Sequence, residues 1–450
     1  MMPLGISSII AVLEQYNYRV KFVDFNIYNG NFKKDLKIWC PKIIGIGGTT
    51  PTRKNSFKIA RLCKEVLPES KIVYGGPHAS FTAEDTLQNI PQIDYIVKGE
   101  GEFTFLGICD YFIRNKNVDI ANLSGLCYRN NGSIKSNQQS RIESLDVLPI
   151  PKRNFEYNIK LDFIDLEADY IITSRGCPVK CTFCSASAMF PHGVRHRSME
   201  HIKKEIDYIL GNKPVKALKV FDSTFTSSKE HVENFCKLIK PYNLLWECEI
   251  RADSVNRDLL KLMKEAGCYY VDIGLETTAE NLLVKIGKRI TLQQIEDVLQ
   301  WCKELGIKTK LFLIFGLLDQ TMEECKNDLT FLKSHKDKIN QFGTTIGLRV
   351  YPGTALERQL LRRKILPQGF SWANFKPSLA NLILLETSDT VILNQNQLTF
   401  LYLLYLMFLL ILQGTILSKE GIKNLLIHNI IRLPAKFLKN ISGLVISHLH

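Results

Sequence analysis

Short apolar runs alternate with amphipathic stretches along the first third of the chain. The apolar runs are typical of buried strands and lie at 20–24, 43–47, 71–75 and 95–98. The stretches between them repeat apolar residues with the 3.6-residue period of a helix, at 6–16, 56–66 and 102–112. Alternating strands and helices form parallel sheets with right-handed crossovers. The pattern therefore predicts a doubly wound, Rossmann-like α/β domain over residues 1–148.

Glycine-rich loops follow three of these strands. They should share the carboxyl edge of the sheet, where open α/β sheets bind ligands. Tight turns alone would also use glycine, but three such loops at one edge favour a ligand site. The candidate binding residues are Thr49, Thr50, Gly75, Gly76, His78, Gly99, Glu100 and Gly101.

The alternation resumes after a weaker stretch that contains a hairpin signal at Asn130–Gly132 and prolines at 149 and 151. We place a linker over residues 149–168. Further strands are predicted at 170–173, 217–221, 245–250, 269–274, 309–315 and 344–350. Helical patterns follow the first five, for instance at 199–210, 229–239, 257–266 and 292–305. Six β/α units predict a partial (β/α)6, TIM-like barrel over residues 169–356, with chemistry at the carboxyl ends of its strands.

The last segment, residues 357–450, has a different pattern. No charged residue lies between Thr390 and Ser418, residues 398–412 are almost continuously apolar, and basic residues follow. The apolar core is shorter than the roughly 20 residues that span a bilayer. We expect a helical region that is buried or makes peripheral membrane contact through 398–440, and a span over 398–417 is the less favoured alternative.

Composition narrows the class of protein. A chain of 450 residues with 45% apolar and 23% charged residues has two or three folded domains and is not disordered. The net charge of +13 suits an anionic partner, such as nucleic acid, acidic lipid or a phosphorylated cofactor, but the positive residues are dispersed and no RNA-binding module is visible. Twelve cysteines without a signal peptide indicate a reducing compartment, hence the cytoplasm.

The strongest chemical signal is a Cys-x-x-x-Cys-x-x-Cys motif directly after the first barrel strand, formed by Cys177, Cys181 and Cys184. Three thiolates in one loop can converge on a single soft metal centre. A structural zinc site would need a fourth ligand, for which His192 and His196 are candidates. A 4Fe-4S cluster usually takes four cysteines, so three leave one iron open to a small molecule.

The triplet and its position resemble the signature of the radical S-adenosylmethionine (SAM) superfamily. The resemblance implies that the three cysteines ligate a 4Fe-4S cluster and that its fourth iron chelates SAM. Phe183 matches the aromatic residue that the family often places near the adenine. Reduction of the cluster would then cleave SAM to methionine and a 5'-deoxyadenosyl radical.

Later strand ends also resemble this family and carry charged residues at the catalytic rim. Asp222, Arg251 and Glu276 are the candidates for SAM binding. A carboxylate can bind a ribose hydroxyl or an ammonium group, and arginine can bind a carboxylate. Structural salt bridges are the alternative for each of them.

Residues 2–5, 49–52, 75–78 and 99–102, placed ahead of such a barrel, resemble the cobalamin-binding class of radical SAM proteins. That class includes methyltransferases and a cyclase of tetrapyrrole synthesis. The Asp-x-His-x-x-Gly motif of histidine-ligated cobalamin is absent, so the resemblance implies base-off binding, and His78 is a poor substitute ligand. The family usually has a strand before the Pro-Leu-Gly segment, which lies here at residues 3–5, so we expect the sheet to lack a central member.

Together these features predict a radical SAM enzyme, most consistent with cobalamin-dependent methyl transfer to an unactivated carbon. The alternatives are a cobalamin-independent cyclase or rearrangement enzyme and a non-catalytic iron-sulfur electron carrier. The expected partners are a small, lipid-like substrate and a low-potential reductant protein, and nucleic acid is disfavoured.

Overall fold

A computed structural model describes residues 3–153, 157, 159, 161–191, 193–346, 348–366 and 368–374. The strands are β1 Ile43–Gly47, β2 Lys71–Gly75, β3 Tyr95–Val97, β4 Leu126–Asn130, β5 Ser133–Ser136, β6 Ala168–Ile171, β7 Ser174–Arg175, β8 Arg195–His196, β9 Ala217–Val220, β10 Leu245–Ile250, β11 Cys268–Glu276, β12 Lys308–Phe315 and β13 Gln341–Ile346. The helices are α1 Leu4–Gln15, α2 Phe32–Trp39, α3 Arg53–Val66, α4 Pro77–Phe81, α5 Ala83–Asn89, α6 Glu102–Arg114, α7 Ala186–Met189, α8 Met199–Asn212, α9 Lys229–Ile239, α10 Arg257–Glu265, α11 Glu280–Lys285, α12 Leu292–Leu305, α13 Met322–Ser334 and α14 Ala355–Arg362.

The amino-terminal sheet has the order β1-β2-β3-β4-β5. Strands β1, β2 and β3 are parallel, and the β4–β5 hairpin extends the sheet with antiparallel pairing. Asn131 and Gly132 join the hairpin with positive φ angles of 47° and 77°, as a two-residue turn with primed geometry requires. The predicted Rossmann-like sheet and its hairpin are therefore confirmed.

The predicted strand at 20–24 is wrong, because this segment follows α1 as irregular chain. Within the described residues β1 is the edge strand, so no neighbouring strand is available there to pair with the apolar run. Side chains fix the segment instead: Tyr18 donates a hydrogen bond to Asp110 at 2.6 Å, and Tyr157 donates to Asp24 at 2.6 Å. Its apolar residues therefore pack without forming a ladder.

The second sheet is entirely parallel, with the six strands in the order β13-β12-β11-β10-β9-β6. All six predicted barrel strands have a counterpart, although the sixth, predicted at 344–350, lies earlier, at Gln341–Ile346. The predicted helices α8, α9, α10 and α12 lie between the strands. Along β12, alternate residues from Thr309 to Phe315 are buried against the helices, while the others face the concave side and are more exposed. The architecture is the expected partial barrel.

The core between the barrel sheet and its helices is built around Trp246. Its ring packs edge-on against Phe225 and Phe235, with centroids 5.6 Å and 5.3 Å away. Its indole N–H donates to the carbonyl of Ala266 at 2.8 Å, so the polar atom of this buried ring is satisfied. This packing fixes β10 relative to α9 and the end of α10.

The apolar run at 398–412 and the predicted helical region from 375 onward lie outside the described residues. Among the residues that the structure does describe, no helix combines the length and the hydropathy needed to cross a membrane.

Candidate functional site

The cysteine motif occupies a loop that leaves β7 at the carboxyl edge of the barrel sheet. Gly176 has a φ of +112°, and a side chain there would collide with the backbone of Gly193. Only glycine fits this close approach. Cys177, Cys181 and Cys184 follow, and all three are free and half-buried.

Two backbone contacts hold the cysteine loop against the rest of the barrel. The amide of Thr182 donates to the carbonyl of Ile286 at 2.8 Å, and the amide of Leu356 donates to the carbonyl of Thr182 at 2.8 Å. The turn after α11 and the first turn of α14 are thus both hydrogen-bonded to the loop. The Cys177 sulfur also lies 3.4 Å from the hydroxyl of Thr224 in the segment after β9.

The thiols share one electrostatic environment. Burial raises the pKa of Cys181 to about 11 and that of Cys184 above its ordinary value, while Lys288 lowers both pKa values. A thiolate at Cys184 raises the pKa of Cys181, and a thiolate at Cys177 raises the pKa of Cys184. Among the described residues no three Cys, His, Asp or Glu side chains are already arranged as a metal site. A metal would therefore have to displace protons and draw the thiolates together.

The zinc alternative depends on histidines, and only one of its two candidates is described. The ring of His196 packs against that of His231 in a tilted arrangement with centroids 4.3 Å apart, and its Nε2 lies 3.3 Å from the hydroxyl of Ser227. His192 lies outside the described residues. The contacts of His196 are thus made with residues other than the cysteines.

Asp222, a predicted SAM contact, is buried and hydrogen-bonded within the protein. It is only 1% exposed, and its carboxylate accepts four hydrogen bonds of 2.6–3.1 Å from the amides and hydroxyls of Thr173 and Ser174. Burial raises the pKa of Asp222, and these hydrogen bonds oppose that rise. Asp222 therefore fixes the junction of β6 and β7, from which the cysteine loop departs.

Arg251 and Glu276, the other two candidates, meet at Lys288. The Lys288 ammonium lies 2.8 Å from Glu276, and Arg251 donates to the carbonyl of Lys288 at 2.8 Å. Arg251 also forms a two-point ion pair with Asp253 at 2.7–2.9 Å. Glu276 has a φ of +73°, a strained conformation for this residue type. The structure brings these groups close to the cysteine loop. The charges of Lys288 and Arg251 lower the pKa of the Cys181 thiol, and the charge of Glu276 raises it.

The three glycine-rich loops of the amino-terminal sheet also come together. The amide of Gly48 donates to the carbonyl of Gly75 at 3.2 Å, and the amide of Gly99 donates to the hydroxyl of Ser80 at 2.9 Å. Thr49 is exposed at this edge, and Thr50 is half-buried. The three loops therefore lie side by side at the carboxyl edge of the sheet, and the side chain of Gln139 covers Gly99.

His78 faces the interior of the protein rather than this surface. It is fully buried, and its Nδ1 lies 3.1 Å from the hydroxyl of Thr50. Burial lowers the pKa of His78 to about 3, and Arg53 acts in the same direction. Its ring packs against Phe57 and Trp372. The imidazole is therefore enclosed by protein groups.

Glu100 connects the two sheets. Arg175, two residues before Cys177, donates to Glu100 at 2.7 Å and to Glu102 at 2.6 Å, and Arg195 donates to the second oxygen of Glu100 at 2.8 Å. Burial alone would raise the pKa of Glu100, but Arg195 and Arg175 hold it below its ordinary value. The Glu100 carboxylate is thus engaged by protein groups and not presented to a ligand.

Sequence reasoning missed three residues of this site. Arg175 and Thr224 lie inside the motifs that the sequence singled out, so the motifs themselves contained the signal. Lys288 follows α11 in a short turn, and no sequence pattern distinguishes it from the many exposed lysines of the chain. Only the fold reveals its burial.

Comparison with known proteins supplies independent information. Two family models match, one described as the radical SAM superfamily over residues 171–332 and one as the B12 binding domain over residues 1–108. An uncharacterized methyltransferase of Pyrococcus horikoshii is 31% identical over 371 residues, a match that covers 81% of this chain and 79% of the relative. Cytidylyl-2-hydroxyethylphosphonate methyltransferase of Streptomyces wedmorensis is 24% identical over 371 residues, covering 70% and 69% respectively.

The architecture is also shared with a solved structure. The radical SAM methyltransferase TsrM of Kitasatospora setae, solved with cobalamin and a [4Fe-4S] cluster bound, superimposes with a TM-score of 0.69 at 18% identity. The match covers 81% of this chain and 72% of that one. The cysteine loop lies within the residues that the radical SAM model matches, and strands β1, β2 and β3 lie within those that the B12-binding model matches. The chain belongs to the radical SAM superfamily, in the group whose barrel is preceded by a B12-binding domain.

Proposed function

We propose that this chain is a cobalamin-dependent radical SAM enzyme that transfers a methyl group to an unactivated carbon of its substrate. The observation that carries this proposal is the contact between the two signature segments. Arg175, beside the cysteine loop, binds both carboxylates of the Gly99–Glu102 loop. The segment that would hold the cluster and the edge that would hold the corrinoid are therefore adjacent, and the methyltransferase relatives support the reaction type.

Cys177, Cys181 and Cys184 are the proposed cluster ligands. The donor set fits, because three half-buried thiols in a clamped loop match the soft ligands of an iron-sulfur centre and leave one iron for SAM. When bound, the cluster supplies the electron for reductive cleavage of SAM, and cobalamin supplies the transferable methyl group. The chain itself orients these groups and excludes water.

Arg251, Glu276 and Phe183 are the proposed SAM contacts. Glu276 and Arg251 are both less than 10% exposed and stand next to the cysteine loop, so they can bind polar groups of SAM in a dry environment. Lys288 holds the carboxylate of Glu276 in place. Asp222 is a positioning residue, because it binds Thr173 and Ser174 at the strand from which the cysteine loop departs.

The corrinoid would lie on the edge formed by Thr49, Thr50, Gly75, Gly76, Gly99 and Gly101. This edge offers hydroxyl groups and backbone amides, which can bind corrinoid side chains by hydrogen bonds. Since His78 is buried and bonded to Thr50, we expect binding without a protein histidine on cobalt. Glu100 would act through Arg175 and Arg195 and not on the corrinoid.

We further propose a cytoplasmic enzyme that receives electrons from a low-potential reductant protein. The twelve cysteines, all free, favour a reducing compartment. The apolar run at 398–412 and the basic residues after it favour a lipid-like substrate and peripheral membrane contact through 398–440. Liposome flotation of the full chain tests that contact.

The test of the methyl-transfer proposal uses full-length protein reconstituted anaerobically with iron, sulfide and hydroxocobalamin. After desalting, iron and corrinoid are quantified, and the protein is reduced in the presence of SAM carrying a deuterated methyl group. The proposal predicts retained corrinoid that acquires the deuterated methyl group. Iron retention with SAM cleavage but without corrinoid would contradict it and would favour the cobalamin-independent cyclase.

A further inference from the structure

Among the residues that the structure describes, the concave face of the barrel sheet carries a carboxylate without a hydrogen-bonding or ion-pair partner, that of Glu249. On adjacent strands, residues in register point to the same face. Glu249 of β10 is in register with Asp272 of β11, which is in register with Lys310 of β12. Glu249 is half-buried, and among the described residues it makes no hydrogen bond or ion pair.

The charged neighbours of Glu249 are already engaged. Lys219 lies 2.9 Å from Glu247 and 3.2 Å from Asp272, so one cation serves two carboxylates. Lys310 pairs with Asp162 at 3.3 Å. This part of the concave face therefore has an excess of negative charge. The pKa of Glu249 is raised to about 7, mainly by burial. The negative charges of Asp272 and Asp222 also raise it, whereas the positive charges of Lys219 and Lys288 lower it.

An aromatic ring is exposed on the same face. Phe312 of β12 is 36% exposed, unlike most large apolar side chains of the barrel. It is in register with Gly274 on one side and Gly343 on the other. A side chain at Gly343 would collide with the ring. The ring thus packs over the backbone of Gly343, and the Lys310 ammonium lies 5.3 Å from its centroid. The Lys288–Glu276 ion pair occupies the space over Gly274, and the remainder of the ring is exposed on the concave face.

Glu249 and Phe312 are separated by two strands and one step of side-chain alternation, about 12 Å between Cα atoms for ordinary sheet spacing. Both side chains lie on the concave face. The charge of Lys288 lowers the pKa of Glu249 and that of the Cys181 thiol. The Lys288–Glu276 ion pair lies over Gly274 on the strand between those of Glu249 and Phe312, and the turn that carries Lys288 contacts the cysteine loop through the hydrogen bond from Thr182 to Ile286. This stretch of the concave face therefore adjoins the cysteine loop. It has a hydrogen-bond acceptor at one end and an apolar wall at the other.

We propose that Glu249 and Phe312 form a substrate subsite for an amine attached to an apolar or aromatic group. Glu249 accepts hydrogen bonds from the ammonium group, and Phe312 packs against the apolar portion. The ammonium offsets the charge of the unpaired Glu249 carboxylate, since the lysines of this face are paired with other carboxylates, and a charge-assisted hydrogen bond is stronger than a neutral one. This inference rests on the proposed function, since it names the substrate class of the same site.

The test measures binding of three matched probes to the full chain reconstituted with its cluster and saturated with SAM. The probes are 2-phenylethylamine, 2-phenylethanol and 3-phenylpropionate, and calorimetry gives each affinity. We expect the amine to bind at least about tenfold more tightly than the carboxylate. Glu249→Gln should remove this preference, and Phe312→Ala should weaken the amine and the alcohol alike. Glu265→Gln, an exposed glutamate on α10, is the matched control and should change nothing.

Equal binding of amine and carboxylate, or a preference that survives Glu249→Gln, would overturn the subsite. Weakened SAM binding in Glu249→Gln, measured in the absence of probe, would also overturn it, because the carboxylate would then recognise the ammonium of SAM. Iron content and circular dichroism of each variant show whether it folds. If the amine preference holds but SAM is not cleaved, the proposed function fails and the subsite stands. If SAM is cleaved without the preference, only the subsite fails.

Discussion

Arg175 and Glu102 form an ion pair of 2.6 Å between the segment that leads into the cysteine loop and the first turn of α6. Arg175 also binds Glu100, and Ser8 donates to the same Glu102 oxygen at 3.0 Å. The carboxylates are 3–4% exposed and the arginine 18%. The most characteristic loops of the two halves are therefore joined by largely buried charges.

Arg175→Ala should lower the free energy of unfolding by about 3 kcal/mol, because it removes the positive charge that is paired with the buried carboxylates of Glu100 and Glu102. Denaturation of the purified full chain in urea measures the change. The matched control is Arg257→Ala, which removes an exposed pair with Glu304 and should cost under about 1 kcal/mol. Similar losses in the two variants would show that the inter-sheet pair has no special role.

Asp222→Ala should reduce the iron retained after reconstitution. The substitution leaves the amides of Thr173 and Ser174 without an acceptor, at about 1–3 kcal/mol for each buried group. The junction that positions the cysteine loop would then loosen. Iron per chain after desalting gives the answer, with the exposed Asp258→Ala as control. Unchanged iron retention in Asp222→Ala would mean that the loop is positioned by its other contacts.

Lys288→Met should reduce SAM cleavage by about tenfold or more, because it leaves the buried carboxylate of Glu276 without its cation. Lys288→Arg, which restores the charge, should recover part of the activity. The rate of 5'-deoxyadenosine formation with dithionite measures both variants. Lys285→Met removes an exposed lysine three residues earlier and is the control. A rate in Lys288→Met equal to that of the control would remove Lys288 from the site.

Glu249 should make the stability of the protein depend on pH near neutrality. Its pKa is raised by burial from 4.5 to about 7. A carboxyl group with a raised pKa in the folded state stabilises the fold below its unfolded pKa, and this contribution is lost as the pH rises through the folded pKa. Relative to Glu249→Gln, the wild type should lose about 1 kcal/mol of stability between pH 6 and pH 8. Parallel denaturation curves for the two proteins over that range would contradict the shifted pKa.

Much of the architecture followed from periodicity. The six barrel strands and the β4–β5 hairpin were predictable because each combines an apolar pattern with turn residues at its ends. The run at 20–24 has the same apolar pattern but forms no strand, since a strand needs a neighbour and the pattern does not reveal whether one is present. Helix α2 was missed because its apolar face is limited to a few residues, with Leu36 the one buried position of the helix.

The sequence predicts those parts of the site that a short motif defines. It does not predict those that depend on contacts between segments distant in sequence. The cysteine spacing locates the loop without any fold. Asp222 and Glu100 lie in motifs that the sequence singled out, but the groups that engage their carboxylates come from segments distant in sequence. The roles of Lys288 and Glu249 depend on burial and on which neighbours are already paired. Those properties belong to the folded chain and leave no signature in a single sequence.

The central claim is that Cys177, Cys181 and Cys184 hold a cluster that cleaves SAM. The most direct measurement is 5'-deoxyadenosine formed from SAM and dithionite by anaerobically reconstituted full chain, quantified by mass spectrometry beside Cys181→Ala and the control Cys40→Ala, an exposed cysteine elsewhere. The account predicts product in the wild type and in Cys40→Ala and none in Cys181→Ala. A stable cluster that yields no 5'-deoxyadenosine, or product that persists in Cys181→Ala, would contradict it.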